Sequence, residues 1–179
     1  MEAKRPRPDI SASDAQHFRR VMGQFASGVT VITTLHDNEV RGMTANAFMS
    51  GSLEPPLCVV SVAKRARMHG FVSASGRFAV NVLAHDQADA AIHFAGRPNP
   101  KLRVDIDWVD GLPVLADASA HMAADVAAAH DCGDHTLFVG HLFHMDADKA
   151  RQPLLYHEGR FGSLVHTRED AMVPAPEFW

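Results

Sequence analysis

The sequence predicts a small β-barrel with helical decoration, one domain of the mainly-β class. Three observations carry that prediction. Short β-branched or apolar runs recur at even spacing. Two or three helical patterns fall between them. The chain has 179 residues and 46% hydrophobic content, enough for one full core, and shows no repeat, low-complexity segment or interdomain linker. Residues 1–12 read as an N-terminal tail with two prolines, 13–166 as the domain and 167–179 as a C-terminal tail.

Ser13 with Gln16 three residues later has the pattern of a capping box, and Asp14 suits the positive end of a helix dipole. Phe18, Val21, Met22 and Phe25 follow at helical spacing, and Gly28 is expected to end this helix. VTVITTL at 29–35 is β-branched almost throughout and reads as a strand. Asp37-Asn38 signals a turn, with a partner strand expected over 41–48. Pro55-Pro56 resets the chain, and 57–62 forms a third strand, apolar enough to be buried on both faces. A short helix is expected over 68–74, a strand over 78–83, and a second short helix over 87–95, closed by Gly96-Arg97-Pro98. Residues 118–129 are alanine-rich. Propensity reads them as helix, whereas HMAADVAAAHDCGDHTLFVGHLFHM also reads as two strands joined at 131–134. The second of those strands is well defined, and the first is left open.

Composition excludes several classes. A net charge of −4 with 21% charged residues gives no basic excess for nucleic acid, and the most basic run, 4–7, lies in the expected tail. No segment approaches the ~18 apolar residues of a membrane span, and no apolar stretch follows the MEAKRPRPD start, so the expectation is a cytoplasmic protein without membrane contact. Two cysteines make no disulfide scaffold, and Cys58 reads as a buried small hydrophobe. Of twelve histidines, the densest group is His130, His135, His141 and His144, but a strand over 135–145 puts His144 opposite His135 and His141. With no zinc-ligand spacing present, no metal site is expected. Gly-x-Ser-x-Gly, GxGxxG and Walker patterns are also absent.

The stretch GMTANAFMSGSLEPPLCVVSV, 42–62, raises the question of function. Thr44, Ala45, Asn46 and Ala47 have little to bury, yet they sit between two core strands. Small side chains and backbone N–H groups suit the polar edge of a flat isoalloxazine, and Asn46 can both donate and accept. Lys64, Arg65 and Arg67 precede a helix and suit a phosphate. The same residues read equally well as an edge strand with a solvated basic turn.

Several segments together resemble the short-chain flavin reductase-like family, the reductase components of two-component flavin-dependent monooxygenases. FRRVMGQFASGVTVITT resembles its opening helix and strand, and GMTANAFMSGSLEPPLCVVSV its flavin-edge motif. RFAVNVLAHDQADAAIHFAG, GDHTLFVGHL and PLLYHEGRFGSL resemble its strand–helix with His-Phe, its Gly-Asp-His motif and its closing strand pair. The matches run in order from Phe18 to Leu164.

The resemblance implies a Greek-key, FMN-binding split β-barrel that forms a homodimer and binds FMN or FAD at the subunit interface. NADH or NADPH would deliver hydride to the flavin, and reduced flavin would pass to a separate monooxygenase. By position, Thr44, Ala45, Asn46 and Ala47 would line the isoalloxazine, and Ser61, Val62 and Ala63 would continue along ring and ribityl chain. Lys64, Arg65 and Arg67 would approach the phosphate. His93 and Phe94 would lie at the dimethylbenzene or adenine side, unless they simply cap their helix. His135 would be the catalytic residue, facing the nicotinamide as a positioning and electrostatic group, with Tyr156 and Arg160 nearby; a turn-closing histidine and a core tyrosine are the plainer readings. Where the family has Ser and Thr near the phosphate, this chain has Ala66 and Met68, which leaves FMN or FAD open. No arginine beside Gly133-Asp134-His135 awaits a 2′-phosphate, which favours NADH. Two other outcomes stay open on this fold: a protein that keeps its flavin and reduces another acceptor, and a flavin carrier or sensor.

Overall fold

The computed structural model describes residues 15–165. Helix α1 (Ala15–Met22) is closed by the Gly23 N–H donating to the Arg19 carbonyl at 2.8 Å. The helix therefore ends earlier than Gly28, which lies in a short strand, β1 (Ser27–Gly28). Ser13 and its capping pattern lie outside the described residues. The apolar stripe of α1 is present, but among the described residues it stands largely exposed. Phe18, Val21, Met22 and Phe25 are between 53% and 80% exposed.

β2 (Thr30–His36) and β3 (Glu39–Ala45) form a hairpin. Asp37 and Asn38 take φ of 53° and 59°, the paired left-handed residues of a type I′ turn that matches strand twist. β4 (Phe48–Ser52), β5 (Leu57–Ala63), α2 (Arg67–Ser75), β6 (Arg77–Val82) and α3 (Ala88–Phe94) follow. The burial of β5 alternates, so only one of its faces enters the core, contrary to the expectation of two.

β7 (Ile106–Val109) and β8 (Leu112–Leu115) form a hairpin on Asp110-Gly111, which the sequence reading passed over. β9 (Ala120–Cys132) and β10 (His135–Ala147) resolve the open choice at 118–129 in favour of strand. Space decides against helix propensity here. β9 lies between β6 and β10, and a Cβ placed on Gly140 would come within 2.7 Å of the Ala124 methyl and 2.6 Å of the Phe78 ring. Alanine is used for its size. β11 (Leu155–His157) and β12 (Arg160–Gly162) close the chain, with β1 pairing to β11.

The main sheet has the order β3-β2-β6-β9-β10-β5-β4. One buried cluster, around Ile32, Val60, Phe78 and Phe138, lies against α2. A second, around Val31, Leu83 and Leu115, lies toward α3. The buried Asn81 links elements: its Nδ2 donates to the Val31 carbonyl (2.8 Å) and Thr33 Oγ1 (3.0 Å), and its Oδ1 accepts the Leu115 N–H (2.8 Å). With its amide so engaged, Asn81 carries no unpaired polar penalty in the core.

Candidate functional site

The run 44–47 lies at the corner between the two ends of the main sheet. β3 and β4 are its edge strands, joined in sequence only by Asn46 and Ala47, and they share no ladder with each other. The corner is pinned from within. Thr30 Oγ1 donates to the Ala45 carbonyl (2.7 Å), Thr44 Oγ1 to the Ala91 carbonyl of α3 (2.6 Å), and the Ser61 N–H to the Ala47 carbonyl (3.0 Å). Asn46 and Ala47 are exposed. The small side chains here leave backbone open at the edge of the sheet.

Beside this corner is a cleft of ≈ 530 Å³, bounded by β3, the start of α2 and the end of α3. It brings together Thr44, Arg67, His93 and Phe94, all singled out from the sequence. Gly42 is required where it stands: a Cβ there would lie 2.5 Å from the Phe94 ring. The preceding residue of α2, Ala66, is extended (φ −74°, ψ 137°) and gives no side-chain cap, so the first N–H groups of the helix have no side-chain oxygen. Met68 is buried, only 3% exposed, and belongs to the core. His93 Nδ1 accepts the Asn99 N–H at 3.0 Å, and its ring meets Phe94 edge-on at 4.9 Å.

Sequence reasoning missed Arg41 and Phe71 on the same cleft. The Arg41 guanidinium lies 5.1 Å above the Phe71 ring, and its Nη2 is 2.6 Å from Glu39 Oε2. Its Nε is buried without a hydrogen-bond partner. Nothing in the order of residues marks this pair, because β3 and α2 meet only in the fold.

His135, Lys64 and Arg65 lie elsewhere, at the β9–β10 turn and the end of β5. His135 pairs in register with Ala63 of β5, and its Nδ1 is 2.7 Å from Asp134 Oδ1. That hydrogen bond holds the exposed Asp134 carboxyl below the usual carboxylate range, with the histidine's charge a smaller contribution. The Lys64 N–H donates to the Asp134 carbonyl (2.9 Å), and Lys64 Nζ pairs with Asp131 at 3.1 Å. Arg65 is exposed beside them. Ser61 and Ala63 are half-buried, whereas the Val62 side chain is fully enclosed and can offer a ligand only its backbone. Asn46, Tyr156 and Arg160 line a larger hollow of ≈ 1280 Å³ beside α1. The residues picked from the sequence therefore occupy three neighbourhoods of one chain.

Comparison with known proteins agrees with this architecture. The chain is 43% identical over 151 residues to an NADH-dependent flavin reductase from Rhodococcus sp, covering 83% of this chain and 85% of that protein. It is 36% identical to the reductase subunit HsaB of a flavin-dependent monooxygenase from Rhodococcus jostii, covering 92% and 84%. The solved structure of the flavin reductase PheA2 superposes with a TM-score of 0.82 at 41% identity, covering 86% of this chain and 99% of that one. Residues 22–165 match the flavin reductase like domain, and the chain belongs to that family.

Proposed function

We propose that this protein is an NADH-dependent flavin reductase that supplies reduced flavin to a separate monooxygenase. One observation carries the reading. The cleft joins Gly42 and Thr44 of β3, at the edge of the corner, an uncapped helix start with Arg67, and aromatic rings from α3, with no carboxylate on its lining. These groups fit a flavin: the backbone at the corner suits its polar edge, and the helix start with Arg67 suits its phosphate. When bound, the flavin supplies the hydride acceptor for the nicotinamide. The chain's own part is to bind and orient. The N–H groups at the start of α2 replace the hydroxyls that Ala66 and Met68 lack. His135, oriented by Asp134, positions the nicotinamide.

A homodimer supports the same reading. The exposed stripe of α1 borders the hollow that holds Asn46, Tyr156 and Arg160. A second copy covering that stripe removes four large apolar side chains from water, and brings its own residues toward the corner. The working compartment is the cytoplasm, where NADH is at hand; among the described residues no helix is long and apolar enough to cross a membrane.

The test is NADH oxidation by purified protein, followed by the loss of nicotinamide absorbance, with FMN, FAD or no flavin added. Turnover that depends on added flavin is the expected result. A protein that remains yellow after dialysis and passes no electrons to free flavin would instead be a flavoenzyme with another acceptor. Flavin binding without any NADH oxidation would make it a carrier or sensor.

A further inference from the structure

A bulge in β10 makes a histidine pair that strict strand alternation would forbid. Between Leu142 and His144 the register with β9 shifts: Leu142 opposes Ala124, and His144 opposes Ala123. Though two residues apart, Leu142 and His144 therefore project to opposite sides of the sheet, with Phe143 as the extra residue. Leu142 packs on the cluster around Phe138, whereas His144 joins the side that carries His121, two residues before Ala123 on β9. His121 lies outside the dense histidine group of the sequence, so only the fold brings the two together.

The two rings turn their Nε2 atoms toward each other. These nitrogens are 3.2 Å apart, and the ring planes lie within 10° with centroids at 5.3 Å. Two imidazoles on one tetrahedral ion, each at ~2.0–2.1 Å, hold their nitrogens ~3.3 Å apart. The pair has that spacing before any ion arrives. Both side chains are half-buried, which limits the rotamer freedom lost on binding. Burial, then His144, lowers the His121 pKa, so at neutral pH its ring is largely neutral and keeps a lone pair to give. Asp146, opposite His121 in register, and Asp107 of β7 are near enough for their charge to act on the same ring. Their carboxylates favour a cation at this place. Among the described residues no group of three ligating side chains forms, so the remaining positions on an ion fall to water.

We propose that His121 and His144 form a cross-strand chelate for a divalent transition-metal ion, of the zinc, nickel and copper class that imidazole favours. In the free pair, one Nε2–H donates to the other Nε2. On binding, the donating ring moves that proton to its Nδ1, and both Nε2 lone pairs bond the ion. No proton leaves the pair and no electron is transferred. The chelate joins β9 to β10 near the open end of their hairpin, away from the Gly133-Asp134 turn and His135. It is a clip on the fold, independent of the flavin reductase reading.

The test is calorimetric titration of the whole protein, first stripped of metal by a chelator, with zinc chloride. The wild type is expected to bind one equivalent. His121→Asn and His144→Asn each remove one of two ligands, and each should weaken binding by at least the about tenfold that even an outer partner of a metal site costs. His141→Asn, on β10 outside the pair, should keep the wild-type affinity. Saturating zinc should raise the wild-type melting temperature by about 5 °C or more and leave the two pair variants unmoved. Copper(II) bound to the wild type gives a reading that needs no variant, since electron paramagnetic resonance should show two imidazole nitrogens on the ion. No zinc bound by the wild type, full affinity kept by either pair variant, or fewer than two nitrogens on copper overturns the proposal.

Discussion

Gly140 gives the sharpest test of how the core is built. It lies mid-strand on β10, paired with Cys58 of β5 and Val126 of β9. A methyl group added there would be 2.6 Å from Phe78 Cζ, 3.0 Å from Phe78 Cε1 and 2.7 Å from the Ala124 Cβ. Both neighbours are essentially without exposure, Phe78 at 0% and Ala124 at 1%, so neither can swing into solvent. Gly140→Ala therefore overpacks a site that cannot relax, at a cost of about 1–3 kcal/mol despite alanine's better strand entropy. At about 2–4 °C per kcal/mol for a chain of this size, the melting temperature falls by several degrees. Urea unfolding at equilibrium, followed by circular dichroism, measures the difference directly, with an unchanged m-value expected. Combining the change with Phe78→Leu, which withdraws the ring edge, should recover part of the loss. A Gly140→Ala protein within about 0.5 kcal/mol of wild type would show that this layer is pliable. The spatial reason given for alanine in β9 would then fall with it.

Other predictions concern single groups. His135→Ala is expected to slow flavin reduction about tenfold, by loss of positioning, and to leave the flavin dissociation constant nearly unchanged; an equal loss of flavin affinity would assign the residue to flavin binding. His121 Nε2 and His144 Nε2 meet at 3.2 Å on β9 and β10, and burial, then the neighbouring histidine, lowers the His121 pKa from 6.5. The unfolded chain takes up that proton more readily, so stability contributed by His121 is complete above pH 6.5 and declines as pH falls through the lowered value. Asp146 and Asp107 face the ring and moderate the loss. His121→Asn should flatten the acid side of a stability–pH profile, and an unaltered profile would refute the account. Burial pushes the Cys58 thiol up to about 11, while Cys132 is exposed. Native protein at neutral pH should take up one equivalent of a thiol reagent, all of it on Cys132 by peptide mapping.

Local signals were readable where one physical effect dominates. The β-branched run of β2 and the Asp37-Asn38 turn fix their hairpin by steric preference alone. In β9 two effects compete, and alanine's helical preference yields to contacts with Phe78 and Gly140 that are distant in sequence. The β7–β8 hairpin turns on Asp110-Gly111 between apolar residues, a local signal that the sequence reading passed over. α1 shows the opposite limit: periodicity marks its apolar stripe, but carries no information on what, if anything, covers it, and in the described residues the stripe is exposed. At the site, Thr44, Arg67, His93 and Phe94 line one cleft. Arg41 and Phe71 escaped notice, since the cation and the ring become a pair only when β3 packs against α2.

The order of the main sheet also governs how the chain emerges during synthesis. β5 and β6 are near neighbours in sequence, yet in the sheet β9 and β10 stand between them. Until the ribosome has released the long hairpin, both strands present a bare, apolar side with nothing to pair against. At roughly 5–20 residues per second that interval lasts several seconds, long enough for strands from two nascent chains to meet. The two-residue turn at Gly133-Asp134 then lets the hairpin close from its tip and enter as a finished wedge. Yield in cells should consequently depend on how fast this last third is translated, and slow codons between α3 and β9 should send more of the protein into aggregates than the same codons placed after β10.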